Sequence, residues 1–91
     1  MTDKQAQQAQ LAMLAANVRA AGTRVLEAQR ELVQADRDRI SAIKQGAGRD
    51  VRTAAAARIN ALEERLALLK SEYIEHQKKA LAAKRGPLAL S

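Results

Sequence analysis

The chain predicts an all-α fold, an antiparallel two-helix hairpin with coiled-coil-like packing, on three observations. Apolar residues recur at alternating three- and four-residue steps through two long runs. Gly46 and Gly48 interrupt those runs once, near the middle of the chain. The connection they leave is only a few residues long, which lays the two helices side by side and antiparallel. The whole of 1–91 then forms one small domain: a helix over about 8–45, a bend at 46–51, a helix over about 52–83 and a tail at 84–91.

In the first run Leu11, Leu14, Val18, Ala21, Val25, Ala28 and Leu32 fall on one helical stripe. Continued strictly, the repeat would put Arg39 in the seam. Val33, Ile40 and Ile43 are the large apolar residues there, so the stripe is expected to drift around the helix and take Ile40 into the packing. Before it, the segment TDKQAQQAQ permits a helix without an apolar stripe, as a frayed start or a segment ordered by a partner. Gly22 costs a helix interior about 1 kcal/mol against alanine and marks a bend, a close helix approach or a tolerated glycine.

At the bend, Lys44 followed by Gly46 reads as a helix C-terminus, with Asp50 or Thr53 as candidate caps for the next helix. The second stripe is cleaner. Ile59, Leu62, Leu66, Leu69 and Tyr73 form it, with Ala55 before them and His76 and Ala80 after. Leu68, Ile74 and Leu81 lie beside this stripe and widen it. Gly86-Pro87 is expected to end the helix, leaving Leu88, Ala89 and Leu90 as an apolar arm.

Composition narrows the function. The 91 residues include one aromatic side chain, Tyr73, and their apolar fraction leans on alanine. Alanine forms helices readily and buries little area. Partners or self-association are therefore expected to supply part of the stability, and the chain is expected to be a homo-oligomer. There is no cysteine, hence no disulfide and no thiolate metal site. No cofactor is expected. His76 has only Glu72 and Glu75 nearby, too few ligands for zinc. No base stands beside a serine, no carboxylates pair, and QGAGRD lacks the Lys and Ser/Thr of a phosphate loop. An enzyme is not expected. No apolar run spans a membrane and no leader-like start is present, which points to the cytoplasm.

The formal charge is +6. Residues 1–45 carry seven Lys/Arg against five Asp/Glu, and residues 46–91 nine against five. Lys78, Lys79, Lys84 and Arg85 are the candidate phosphate contacts, of a kind that would be nonspecific and salt-sensitive. Sequence-specific reading is not expected, since recognition-helix, zinc-finger and basic-zipper patterns are all missing. Candidate partner contacts are Arg49, Arg52 and Arg58 at and after the bend, and Pro87, Leu88 and Leu90 in the tail. Arginine suits the bend because its planar fork holds a carboxylate or phosphate with two hydrogen bonds.

From LEAQRELVQADRDRISAIKQGAGRDVRTAAAARINALEERLALLKSEY, and then KRGPLAL, the chain resembles the small head–tail joining proteins of tailed bacteriophages, the group around the lambda W protein. The shared plan is a helix ending in a glycine, a short basic connection (Arg49 to Thr53), a helix with Leu-x-x-Leu-type spacing and a basic Gly-Pro tail. That family carries a two-stranded hairpin between its helices; here Gly48 to Thr53 occupies the place. The resemblance implies a non-enzymatic virion part, a ring typically of twelve copies between the portal and the next neck or tail protein, close to the DNA channel. The competing expectations are a small coiled-coil adaptor or chaperone that binds a helical partner, and a nonspecific nucleic-acid-associated protein.

Overall fold

A computed structural model describes residues 2–89, with side chains as far as residue 85. Two helices account for nearly all of them: α1 over Asp3–Lys44 and α2 over Arg49–Ala89. They pack against each other along their length in a body 66 × 22 × 14 Å, the proportions of two rods side by side. No strand occurs among the described residues.

Helix α1 begins earlier than the apolar periodicity predicts, and the cause is a capping box. Gln5 N–H donates to Thr2 Oγ1 at 3.2 Å, and Thr2 N–H donates to Gln5 Oε1 at 3.0 Å. Two otherwise orphaned donors are thereby satisfied, and Asp3 sits favourably in the first turn.

At its other end α1 closes in a Schellman motif. Gly46 N–H donates to Ile43 O at 3.1 Å and Ala47 N–H to Ala42 O at 2.9 Å. Gly46 holds φ at 78°, the left-handed region. Gly48 does not, and neither glycine has anything within 4 Å of a built Cβ. Gly46→Ala is therefore expected to cost about 1–2 kcal/mol through backbone strain alone. Gly48→Ala should be tolerated. Urea midpoints of the two variants check this, and equal losses would contradict it.

Helix α2 starts at Arg49, so Asp50 and Thr53 lie inside it rather than capping it. Its first main-chain bond runs from Arg52 N–H to Gly48 O at 3.1 Å. The helix also continues through Gly86 and Pro87 to Ala89, which corrects the expected stop and separate tail. Pro87 can donate no main-chain hydrogen bond there.

The seam corrects the reading of α1. It does not drift. Leu14, Val18, Ala21, Val25, Ala28, Leu32, Ala35, Arg39 and Ala42 are all buried or half-buried in unbroken four–three alternation. Ile40, expected in the seam, is 42% exposed, and Val33 and Ile43 stand outside with it. Arg39 keeps the repeat because its stem packs while its Nη2 reaches Asp36 Oδ1 at 3.6 Å. Its Nε remains buried without a partner. A polar group in an otherwise apolar seam favours one register at some cost in stability.

Ala21, Ala28 and Ala35, seven residues apart, are the most buried side chains of α1, at 2–3% exposure. From α2, Ala55, Ile59, Leu62, Leu66, Leu69, Tyr73, His76 and Ala80 meet them, with Leu66 the most buried. Leu68 points away, at 66% exposure. Gly22 marks a close approach: a Cβ there would lie 3.3 Å from Tyr73 Cε2, so the only aromatic ring rests where α1 has no side chain. The core is thin, and alanine supplies most of it.

Candidate partner-binding surfaces

The two edges of the hairpin differ in chemistry. Along one, ion pairs bridge the helices: Arg58 Nη1 to Asp38 Oδ2 at 3.3 Å and Arg65 Nη1 to Glu31 Oε2 at 3.7 Å. Gln34 Nε2 donates to the other oxygen of Asp38 at 2.9 Å. All four charged side chains are more than half exposed, so each pair adds little stability and mainly records register. Both pairs add to 96, so residue n of α1 lies level with residue 96 minus n of α2.

The other edge is apolar. Leu26, Val33, Ile40 and Ile43 of α1 share it with Ile74 and Leu81 of α2, each 42–55% exposed. The remaining large exposed apolar residues, Met13, Val51 and Leu68, fall elsewhere on the helical wheels. Three shallow grooves run along this edge, the smallest of about 250 Å³ at the bend end, lined by Arg37, Ile40, Ser41 and Lys44. One, of about 670 Å³, has Leu11, Val18, Ile74 and Leu81 on its floor and Arg19, Lys78 and Lys84 on its rim. The second, about 540 Å³, lies over Gly22, Leu26 and Tyr73.

These positions sort the candidates from the sequence. Arg49 and Arg52 stand exposed in the first turn of α2, at the tip, and make no ion pair among the described residues. Arg58 is instead engaged with Asp38 inside the hairpin. Lys78 and Lys84 border the larger groove, Lys78 also reaching Glu75 at 3.7 Å, while Lys79 lies on the ion-paired side by its spacing from Arg58 and Arg65. Lys78, Lys79, Lys84 and Arg85 therefore spread around the helix and do not form one patch. The side chains of Pro87 and Leu88, and the whole of Leu90, lie outside the described residues.

His76 is half-buried in the seam. Among the described residues no three metal-ligating side chains converge, and no helix is long and apolar enough to cross a membrane. The apolar edge was partly legible, since Ile74 and Leu81 stand beside the second stripe. Its α1 half, Leu26, Val33, Ile40 and Ile43, becomes visible once the repeat is carried strictly through Arg39. No family model, curated protein or solved structure matches the chain.

Proposed function

We propose that the chain is a non-enzymatic assembly protein that joins protein surfaces. The observation that carries this is the division of the hairpin: one edge closed by ion pairs, the other a continuous row of unpaired apolar side chains. Surfaces of that kind mark interaction sites. Arg49 and Arg52 at the tip add a separate polar contact, suited to carboxylates or phosphates.

The setting implied by the phage resemblance is the virion neck, with the chain in a ring that contacts the portal and the next neck or tail protein beside the DNA. The order helix, short basic turn, helix supports it. The second reading is an adaptor or chaperone for a helical partner. The unbroken four–three repeat favours it, as does the continuation of α2 through the place of the family's two-stranded hairpin.

Native mass measurement separates the two settings. A ring would have about twelve times the 9.9 kDa of one chain, and a chain that never exceeds a dimer, alone or with portal protein, would sink the neck reading. Arg49→Ser with Arg52→Ser tests the tip. Stability is expected to change by less than about 0.5 kcal/mol, while ring or partner assembly weakens and its salt dependence falls. Unchanged assembly at physiological salt would remove the tip from the working surface.

A further inference from the structure

We infer that the trough between the two helices, at the open end of the hairpin, receives an acidic amphipathic helix of a partner protein. The two larger grooves share Arg19, so they form one trough, running along α1 from Leu11 to Gln29. At 1.5 Å per residue that is about 27 Å, the length of a helix of about 18 residues. Its floor is apolar: Leu11, Val18 and Val25 of α1, two turns apart, with Tyr73, Ile74 and Leu81 of α2.

The backbone fixes the shape of the occupant. Both walls of the trough are helices, whose main-chain groups are bonded within each helix, so they offer no sheet edge to an extended peptide. A segment that enters an apolar trough must satisfy its own N–H and C=O groups, and a helix does so along its length. Leu11, Val18 and Val25 then call for apolar residues at i, i+7 and i+14 of that helix, with three- and four-residue steps between them reaching α2. A flat bilayer would touch the rim and leave the half-buried floor at Leu11, Val18 and Tyr73 uncovered.

Charge fixes its chemistry. Arg19 stands on the α1 wall and Lys78 and Lys84 on the α2 wall, and seven-residue spacing puts Lys70 in line with Gln77 and Lys84. No aspartate or glutamate lines the trough among the described residues. Arg19, Lys70 and Lys84 make no ion pair among those residues, and the Lys78–Glu75 contact, at 3.7 Å between well-exposed side chains, is weak enough to be exchanged. Carboxylates on both flanks of the incoming helix meet these cations across the rim. The same trough of a second copy cannot supply them, since its own rim is basic. Asp36 and Glu63, each one seven-residue step beyond Gln29 and Lys70, end the basic stretch where the trough ends.

This inference rests on the assembly reading and names the partner of the same edge; its test uses a peptide and leaves Arg49 and Arg52 untouched, so the two stand or fall separately. Two synthetic peptides of about 18 residues share a Leu/Ala stripe at three–four spacing and differ only in their flanks, glutamate in one and lysine in the other. Calorimetric titration of the full chain at physiological salt should show the glutamate peptide binding about tenfold tighter, a preference that shrinks as salt rises. Arg19→Glu with Lys84→Glu should reverse the preference. The melting midpoint should stay, because both side chains are exposed and make no ion pair among the described residues. Ile74→Asp, at a side chain already 48% exposed, should abolish binding with helicity intact, whereas Leu68→Asp, on another face and 66% exposed, should leave binding unchanged. Equal affinity for the two peptides, no binding of the glutamate peptide, or an unchanged preference in the charge-reversed variant would each overturn the proposal. So would binding of phosphatidylserine vesicles in place of the peptide, which assigns the trough to a lipid surface, or a dimer that Ile74→Asp dissociates, which assigns it to a second copy. A chain that ignores the glutamate peptide yet still assembles by native mass would reject this occupant and keep the assembly reading.

Discussion

Ala28→Asp is expected to abolish the hairpin. Ala28 is 3% exposed, in the middle of the three-alanine row that lets α2 come close. A carboxylate there meets apolar seam residues on the facing helix, where the seam positions Leu62, Leu66 and Leu69 offer no counter-charge. An unpaired buried charge costs several kcal/mol, and the side chain also overfills a site built for a methyl group. Small domains have only about 5 kcal/mol to lose. Far-UV circular dichroism at 25 °C should show most helicity gone, because a single helix released from packing is marginal in water. Ala20→Asp is the matched control: also alanine in α1, but exposed and away from both the seam and the apolar edge. It should change stability by no more than about 0.5 kcal/mol. Equal damage from the two variants would show that the alanine row is not the contact.

The second large effect is expected at Leu66. It is the one large side chain of the buried set, 9% exposed, whereas Leu68 two residues on is 66% exposed. Leu66→Ala removes most of its apolar volume from a core otherwise made largely of alanine. The thinness of that core lets it relax, so the cost belongs at the lower end of the usual range, about 2–3 kcal/mol. For a chain of this size that lowers the melting midpoint by about 8 °C or more. Leu68→Ala should shift it by little. A comparable loss at Leu68 would mean that its face is covered in solution, and would move the docking surface around α2.

Much of this architecture is legible in the residues. The α2 seam follows from its four–three spacing alone, because no charged residue interrupts it from Ala55 to Ala80. In α1 the same spacing continues, but one of its positions is Arg39, and a pattern that scores arginine as polar sees a break and reaches for Ile40 instead. The amphipathic arginine resolves this: its aliphatic stem and Nε lie in the seam while Nη2 reaches out to Asp36. Thr2 and Gln5 already carry the capping-box pattern, a signal for the early helix start that outweighs the missing apolar stripe. The surfaces are less legible. That Asp38 occupies Arg58, and that Gly22 faces Tyr73, depends on how the two arms align. Periodicity within either arm does not fix that alignment.

The antiparallel layout also orders the fold in time. Asp38 and Arg58 are separated by 20 residues of chain, but Gly22 and Tyr73 by more than twice that. Closing the longer loop from an open chain costs about 0.8 kcal/mol more in entropy. The cheapest long-range encounters therefore sit beside the Schellman turn, and each layer formed there shortens the free loop for the next. Loop-closure entropy therefore favours assembly as a zipper from the bend towards the open end, with fraying in the reverse order. The groove rimmed by Arg19, Lys78 and Lys84 lies at the end that closes last. A surface placed there is complete only when every layer below it has formed.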